Sequence, residues 1–329
     1  MRSKFRNILF NLFPSIPFIS FISSISFIPS LRAQPFVDIL NIQYQRFPEA
    51  PYDNSANASL LTEQFTANIF IPLELKNKDV IVIGSSFDKF RFKYDSVNNS
   101  KTSFLYATSL QLGGVKQWKD GKWSALMLII PRISSDWEKL SKKHYQLGGV
   151  VLFTYTCSGR ACPSTTNKHL KLKFGLYYNR EFFGNFFMPL AGFEWKANEK
   201  LNIFGVLPGS MNIEYKLNKS LYTGIAYKSI TTSYRLSDST DNYYVREGHR
   251  FWGHWQLKGF VNFYPVKNIA LFAEFGGTSW RRYEVYENDR ENKKDPVTEP
   301  GSFYPVYRTF KNGVFFNVGI AFRVRLDQE

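Results

Sequence analysis

The chain has 329 residues, a formal net charge of +15 at pH 7 and an aromatic content of 18%. This aromatic content is high for a soluble domain. Beyond residue 33, no stretch reaches the roughly 18 uncharged apolar residues of a membrane-spanning helix. Tyr, Phe, Gly and Lys recur from end to end without a linker or a low-complexity tract. The composition therefore favours one domain and argues against membrane helices in it.

The first 33 residues have the order of a secretory signal peptide. Three basic residues precede an uncharged stretch over residues 8–29, and small residues follow as far as Ala33, the expected last residue before cleavage. A membrane anchor helix is the alternative, but the prolines in this stretch would interrupt it. We therefore predict a signal peptide over residues 1–33 and a single domain over residues 34–329. Cleavage would remove four basic residues and no acidic one, which lowers the net charge from +15 to +11.

Apolar residues alternate with polar or small ones in many segments of the exported domain, which predicts β-strands. The clearest case is residues 314–326, where every second residue from Val314 to Leu326 is apolar. Membrane strands need about 9–11 residues at a tilt near 45°, whereas globular strands have about five or six. The segments here are of the longer kind, so they favour a transmembrane β-barrel with its apolar face outward. A soluble β-sandwich, the alternative, would normally have shorter strands and fewer aromatic residues.

Aromatic residues near the segment ends are expected to form girdles at the two membrane interfaces. They are Tyr94, Trp118, Trp123, Trp137, Trp195 and Trp280.

The turns indicate the topology of the barrel. Short polar turns are predicted at residues 75–79, 196–200, 217–220 and 265–268, and long loops at 47–59, 93–102, 236–249 and 282–312. Short turns lie on the periplasmic side of such barrels and long loops outside. The predicted antiparallel strands are 36–46, 60–72, 79–92, 103–118, 122–135, 144–156, 169–179, 186–195, 199–206, 211–217, 220–235, 250–264, 269–281 and 313–326. This gives fourteen strands. If residues 207–210 form only a kink, the count falls to twelve, with residues 34–59 outside the wall.

Several runs of residues resemble a known family. The run PLAGFEW at 189–195 is followed by Leu207-Pro208, by EYKLN at 214–218 and finally by GVFFNVG at 313–319. This order resembles an uncharacterised family of Gram-negative outer-membrane β-barrel proteins, known only as a domain of unknown function. The likeness extends over most of the exported domain and implies the same fold and the outer membrane as its location. It implies no catalytic residues, because the family has no established ones.

Cys157 and Cys162 flank a four-residue spacer, and in an exported protein such a pair indicates a disulfide first. Closing so small a loop stabilises the fold by about 2 kcal/mol in the chain-entropy model. Free thiols are the alternative. A metal or redox pair lacks support, because the spacing is not the two-residue redox motif and no His lies between the two cysteines. We expect no metal, no cofactor and no catalysis, and no nucleic-acid partner for a protein of the outer membrane.

Eight cations are predicted to line the lumen, since they lie on the polar faces of alternating segments. They are Lys89, Arg91, Lys93, Lys171, Lys173, Lys258, Arg323 and Arg325. Rings of Lys and Arg favour anions, so the sequence predicts a passive pore or small-solute channel with a basic lumen. These residues would alternatively pair with lumen carboxylates such as Glu274 or with lipid phosphates.

Two other function classes stay open at this point. Inward aromatic residues at 260, 272 and 315 could close the barrel, which would leave a structural or lipid-binding role. The third class is an outer-membrane enzyme that modifies lipids, although no short motif joins a nucleophile to a histidine. Outer-membrane lipids are the expected partners in every case.

Overall fold

The computed structural model describes residues 35–52, 55–96, 99–119, 121–157, 170–237, 243–248, 253–287, 308–309 and 312–325. Its strands are β1 (Phe36–Tyr52), β2 (Ser55–Glu74), β3 (Val80–Ser96), β4 (Asn99–Gln117), β5 (Trp123–Ser135), β6 (Tyr145–Cys157), β7 (Leu170–Glu181), β8 (Gly184–Lys196), β9 (Leu201–Leu207), β10 (Ser210–Lys216), β11 (Leu221–Ile230), β12 (Thr232–Arg235), β13 (Tyr243–Glu247), β14 (His254–Val266), β15 (Ile269–Ser279), β16 (Arg282–Glu287), β17 (Arg308–Thr309) and β18 (Val314–Arg325). One 3₁₀ turn lies at Lys142–His144. None of the described helical segments is long and apolar enough to cross a membrane. The predicted signal peptide lies outside the described residues.

Fourteen antiparallel strands form a closed wall. They are β1 to β11, β14, β15 and β18, and β1 pairs with both β2 and β18, which closes the sheet into a barrel. The predicted all-β, fourteen-stranded antiparallel barrel is therefore confirmed. The twelve-strand alternative is wrong, because β9 and β10 are separate strands that pair from Ser210 with Val206 to Tyr215 with Leu201.

The two faces of the wall differ as the alternation predicts. On β18, Val318 and Ile320 are 47% and 44% exposed, whereas Phe315 and Ala321 are buried. Since successive side chains of a strand point to opposite faces, one set lines the lumen and the other covers the outside. The apolar outer surface is the surface that a membrane barrel presents to lipid.

The short turns, the start of β1 and the end of β18 lie at the same end of the barrel, which we call the turn side. The opposite end is the loop side. The predicted turn at residues 75–79 is closed by a hydrogen bond from the Lys78 amide to the Leu75 carbonyl, 2.9 Å. In the next short turn, the side chain of Asn198 accepts hydrogen bonds from the amides of Lys200 and Leu201. Asn residues thus supply the turn geometry that the sequence suggested.

The strands β1 to β4 are longer than a membrane requires. They have 17, 20, 17 and 19 residues, against about 9–11 for a tilted membrane strand. The predicted long loops at 47–59 and 93–102 are wrong, because residues 36–52 with 55–74 and 80–96 with 99–117 form strand hairpins. These hairpins extend beyond the membrane on the loop side.

Aromatic rings collect at both ends of the outer surface. On the loop side, the ring of Trp137 lies 4.9 Å from that of Tyr106 and 5.9 Å from that of Phe87. On the turn side, the ring of Trp123 lies 4.9 Å from that of Tyr155. The predicted girdle tryptophans are all exposed: Trp118, Trp123, Trp137, Trp195 and Trp280. Tyr94 was wrongly included, because it faces inward and packs against buried residues of the lumen.

Three short strands, β12, β13 and β16, lie inside the barrel and do not belong to its wall, and a fourth short strand outside the wall, β17, pairs with β16. The strand β13 pairs with β12 and with β16, and we call these three strands the inner sheet. Its apolar side packs against the inner faces of β2, β3 and β4. The cluster comprises Leu60, Phe90, Phe92, Leu105 and Ala107 from the wall, and Tyr234, Leu236, Val245, Tyr283 and Val285 from the inner sheet and its end. The lumen is therefore filled on the loop side by the inner sheet and the wall side chains that it contacts.

The chain turns inward at a few positions with unusual backbone angles. Gly248, Gly253 and Trp280 have φ values of 78°, 67° and 57°. A Cβ atom on Gly248 would lie 2.6 Å from the carbonyl oxygen of Ile230, so only glycine permits this close approach to the end of β11. The predicted strand 220–235 splits into the wall strand β11 and the inner strand β12. The predicted loops 236–249 and 282–312 are wrong in part, because they contain the inner strands β13 and β16.

Candidate functional site

Five of the eight predicted lumen cations lie on the inner face. Lys171 and Lys173 lie on the inner face of β7, and Lys258 on that of β14, each alternating with exposed apolar residues such as Leu172. On β18, Arg323 and Arg325 follow the buried face of the strand. These placements agree with the alternation in the sequence.

The lumen assignment of Lys89, Arg91 and Lys93 is wrong. On β3 they alternate with buried Phe90 and Phe92, so they point to the outside of the barrel. The Nζ of Lys89 lies 5.1 Å from the centre of the Phe104 ring, which belongs to the outer surface. The Nη1 of Arg91 lies 3.0 Å from Oε2 of Glu63, and Nζ of Lys93 lies 2.7 Å from Oδ2 of Asp95. These three cations are therefore placed just beyond the loop-side aromatic girdle.

At least four of the five inward cations form ion pairs with carboxylates inside the barrel. They are Lys173 with Glu194, Lys258 with Glu274 (Nζ to Oε2, 2.5 Å), Arg323 with Asp38 (Nε to Oδ1, 2.5 Å) and Arg325 with Glu214 (Nη2 to Oε1, 2.6 Å). Burial of a charge is costly unless it is paired. The lumen is thus close to charge balance rather than uniformly basic.

Arg325 differs from the other three, because its partner does not lie on a neighbouring strand. Arg325 is on β18 and Glu214 on β10, with three other strands of the wall between them. The guanidinium carbon of Arg325 also lies 3.6 Å from the centre of the Tyr222 ring, and its Nη1 donates to the Tyr264 hydroxyl at 3.2 Å. This arginine joins distant parts of the wall at the turn side.

The inward phenylalanines Phe260 and Phe272 do not extend across the lumen. Each faces a glycine on the adjacent strand. Phe260 is paired with Gly224, and Phe272 is paired with Gly319. A Cβ atom on Gly224 would lie 2.6 Å from Cζ of Phe260, so the ring lies flat over the glycine. Because these two rings lie against glycines of the wall, they do not fill the centre of the lumen.

Hydrogen bonds to a buried carboxylate hold the inner sheet against the wall. Glu181, at the end of β7, accepts hydrogen bonds through Oε2 from the amide and the hydroxyl of Ser233, at 3.1 and 2.5 Å. The Nε2 of Gln146 donates to the same oxygen at 2.9 Å, and Nδ2 of Asn179 donates to Oε1 at 2.6 Å. A second hydrogen bond between the inner sheet and the wall lies just beyond the end of β12. There the Ser237 hydroxyl donates to Oδ1 of Asp136 at 2.6 Å.

A third set of contacts, made by Arg281, joins the inner sheet to β1 and β2. Arg281 is buried, its guanidinium carbon lies 4.3 Å from the centre of the Phe47 ring, and it donates to the Thr62 hydroxyl. Burial, and then the nearby Glu247 carboxylate, raise the pKa of the Tyr283 hydroxyl well above its ordinary value. This hydroxyl therefore stays protonated and donates to Oε1 of Glu247 at 3.2 Å.

A polar cavity of about 180 Å³ lies inside the barrel, next to the inner sheet. Its lining comprises Ser86, Asp88, Ser109, Ile130, Arg132, Tyr177 and Asn179. The guanidinium carbon of Arg132 lies 5.9 Å from the centre of the Tyr234 ring, which belongs to the inner sheet. The sequence reasoning missed this site, because Arg132 follows Pro131 in an apolar segment and no neighbouring cation drew attention to it.

The predicted disulfide is only partly within the described residues. Cys157 ends β6 on the turn side and is disulfide-bonded. Cys162, its predicted partner, lies outside the described residues, so the pairing stays a prediction. Within the ranges that the structure describes, no three residues of His, Cys, Asp or Glu come together as a metal site.

A closed fourteen-stranded antiparallel wall, apolar outside and ion-paired inside, defines the class of outer-membrane β-barrels. The chain matches the family described as Domain of unknown function (DUF6268) over residues 30–323, so it belongs to that family. This confirms the resemblance seen in the sequence.

Several solved structures show a distant likeness. An outer membrane channel from Pseudomonas putida F1 has 8% identity and a TM-score of 0.38, with 86% of this chain and 93% of that chain covered. The toluene transporter TodX from P. putida has 10% identity and a TM-score of 0.38, with 91% and 92% covered. The NanC porin has 8% identity and a TM-score of 0.30, with 86% and 98% covered. No curated protein gives a match. Identities and scores this low carry no information about a solute.

Proposed function

We propose that this protein is an outer-membrane channel for passive entry of small polar solutes, closed toward the loop side by the inner sheet in the state described. One observation supports this most directly. The loop-side mouth is filled by the inner sheet, which packs against side chains of the wall. Eight-stranded barrels are filled by side chains alone, whereas fourteen strands enclose more space. Among the described strands, the inner sheet pairs with the wall only where Arg235 of β12 meets Ser135 of β5, so it can move without breaking the pairing of the wall strands.

The charges of the lumen bear on the selectivity of the proposed channel. At least four of the five inward cations are paired with carboxylates, as described above. A ring of unpaired Lys and Arg would favour anions strongly, but paired cations present little net charge to a passing ion. We therefore propose a weak anion preference in place of the strongly basic lumen that the sequence suggested.

The outer cations indicate how the barrel meets its membrane. Lys89, Arg91 and Lys93 point outward just beyond the aromatic girdle, and Arg46 on β1 is exposed on the same surface. This is the level at which lipid phosphates lie when the girdle marks the membrane interface. We propose that these cations contact anionic lipid headgroups of an outer membrane that the chain reaches by export.

We further propose that the protein is not an enzyme. The Ser141 hydroxyl lies 3.0 Å from Nδ1 of His144, a distance that a nucleophile and its base would show. However, both residues form the capping box of one 3₁₀ turn, and the Ser141 amide donates to the same nitrogen at 2.9 Å. The pair is therefore explained by the turn that it caps.

A disulfide lock tests the channel and its gate together. The double variant Asp136→Cys, Ser237→Cys replaces two side chains in direct contact, one on the wall and one at the end of β12. In planar bilayers, the oxidised variant should show no conductance, and reduction should restore discrete openings. Each single cysteine variant and the wild type, with and without reductant, serve as controls, because reductant also reaches the disulfide of Cys157.

The outcomes separate the proposals. Equal conductance of the oxidised and reduced double variant would show that the inner sheet is not the gate. Silence of the wild type and of both forms of the variant would overturn the channel and favour the closed structural or lipid-binding barrel. Turnover of lipid in the same vesicles would instead establish the enzyme.

A further inference from the structure

We propose that the cavity beside the inner sheet is a binding site for a small zwitterion of the α-amino acid type, held between Arg132 and Asp88. The proposal rests on the channel function proposed above, because it names the class of solute that the lumen takes. It depends on three features of the cavity: an unpaired guanidinium, a carboxylate with a free oxygen, and a volume that limits the size of the occupant.

Arg132 lies on the inner face of β5 and stands apart from the other lumen cations. Whereas Arg246, Arg323 and Arg325 pair with carboxylates, no carboxylate among the described residues lies within 4 Å of the Arg132 guanidinium, and no described residue hydrogen-bonds to it. Its guanidinium carbon lies 5.9 Å from the centre of the Tyr234 ring, and the Glu181 and Asp88 carboxylates are close enough to act on it electrostatically. A guanidinium has five donors and prefers a planar carboxylate that accepts two of them. The donors of Arg132 therefore face the cavity unused.

Asp88 supplies the opposite charge on another side of the cavity. Its Oδ1 accepts hydrogen bonds from the Thr66 hydroxyl at 2.6 Å and from Nε2 of Gln64 at 3.0 Å. These two bonds fix the orientation of the carboxylate, and they leave Oδ2 without a described partner. An ionised carboxylate oxygen in this position is an acceptor for an ammonium group.

The wall keeps these two charges apart. Asp88 is on β3 and Arg132 on β5, with β4 between them, and adjacent strands are about 4.8 Å apart. On β4, Ala107 pairs with Asp88 and Ser109 with Arg132, so only small side chains occupy the space between. Two opposite charges that face one cavity without contact suit an occupant that carries both charges.

The remaining lining adds hydrogen-bonding groups and sets the size. The hydroxyls of Ser86 and Ser109 bond to each other at 2.7 Å, and the side-chain oxygen of Asn179 is buried without a hydrogen-bond partner. The volume of about 180 Å³ slightly exceeds that of an engineered cavity of about 150 Å³ that binds benzene. An occupant of about five to eight non-hydrogen atoms fits, such as glycine or L-alanine.

A single ion fits the cavity less well than a zwitterion does. A small anion that met Arg132 would lie close to the Asp88 carboxylate, and a small cation that met Asp88 would lie close to the guanidinium. In each case the ion would be attracted by one of the two protein charges and repelled by the other. A zwitterion compensates both charges at once.

Equilibrium dialysis of the detergent-purified protein against labelled L-alanine tests the site. We expect saturable binding to the wild type and at least tenfold weaker binding to the variants Arg132→Met and Asp88→Asn. Arg180→Met is the matched control, because Arg180 lies on β7 next to Asn179 but points outward. It should bind L-alanine like the wild type. Heat-modifiable mobility on gels verifies that each variant is folded.

Probes with one charge identify the two halves of the site. Acetate should bind the wild type at least tenfold more weakly than L-alanine does. Asp88→Asn should gain affinity for acetate, and Arg132→Met for ethylammonium, because each variant removes the charge that repels the probe. L-phenylalanine, which is too large, should not compete.

The outcomes for site and channel are distinguishable. Absence of saturable binding to the wild type, unchanged binding by both variants, or acetate bound as tightly as L-alanine would each overturn the site. The channel would be unaffected by these results if the bilayer shows conductance. Binding of L-alanine that depends on Arg132 and Asp88 would support the site even in a barrel that conducts nothing.

Discussion

Weakening the contact between the inner sheet and the wall should open the channel more often. Val245 lies at the centre of β13, is fully buried, and belongs to the cluster that contains Leu105 and Phe92 of the wall. Val245→Ala removes two methyl groups, each worth about 0.8 kcal/mol of burial, and leaves a small cavity. We take the loss of closed-state stability as about 2 kcal/mol. Since 1.4 kcal/mol is a factor of ten, the ratio of open to closed channel should rise about 30-fold.

Single-channel recording in planar bilayers measures this ratio as the open probability. The amplitude of each opening should be unchanged, because Val245 moves with the inner sheet and does not line the open lumen. Val261→Ala is the matched control. It is the same substitution on the outer face of β14, where Val261 is 44% exposed and does not contact the inner sheet. An open probability equal to that of the wild type in a folded Val245→Ala barrel would refute the assignment of the inner sheet as the gate.

Three further changes test the charges and the closure of the barrel. Glu194→Gln leaves Lys173 without its carboxylate, so the reversal potential in a salt gradient should shift toward anion selectivity, and no shift would mean that ions do not pass this pair. The double change Lys89→Glu, Arg91→Glu should lower binding of the folded barrel to vesicles rich in anionic lipid, by about 1 kcal/mol for each cation lost, while conductance stays the same. Arg325→Met removes a buried partner of Glu214 and should cost about 3–5 kcal/mol, seen as a lower temperature of the heat-induced mobility shift; an unchanged temperature would contradict its role in closure.

The alternation of residues predicted the wall because a strand in contact with lipid on one face and water on the other leaves a strict period of two. The spans 169–179 and 186–195 differ from β7 and β8 by only a few residues. The short turns were predictable as well, because Asn and Lys residues there adopt the backbone geometry that tight turns require.

The face of β3 was not predictable in the same way, because a period of two does not say which set points outward. Beyond the membrane, the outer face meets water and the inner face meets the inner sheet. The apolar set Phe90 and Phe92 therefore faces inward there, whereas Ile81 and Ile83 on the membrane part face outward. The apolar side changes from one face to the other along a single strand.

This change of face is itself a signal that sequence reasoning can use. A strand of 17 residues that exceeds the membrane thickness, and whose apolar set shifts by one position near Asp88, predicts an apolar object inside the barrel at that level. The inner sheet is that object. Its own strands were hidden, because their separation from the wall depends on local backbone angles at Gly253 and Trp280, which the composition of the segments does not reveal.

The proposed binding site and the inner sheet, which is the proposed gate, share one contact. Binding of the solute and opening of the channel are therefore thermodynamically linked. The guanidinium carbon of Arg132 lies 5.9 Å from the centre of the Tyr234 ring of the inner sheet, and a carboxylate that pairs with the guanidinium weakens its cation–π attraction to the ring. A solute that binds more tightly when the inner sheet has moved shifts the channel toward the open state, and by reciprocity the open state binds the solute more tightly by the same factor. Val245→Ala, which favours the open state, should therefore bind L-alanine more tightly than the wild type, up to the limit set by its 30-fold shift. Equal affinity in dialysis of the two proteins, together with a raised open probability, would show that the cavity and the gate act independently.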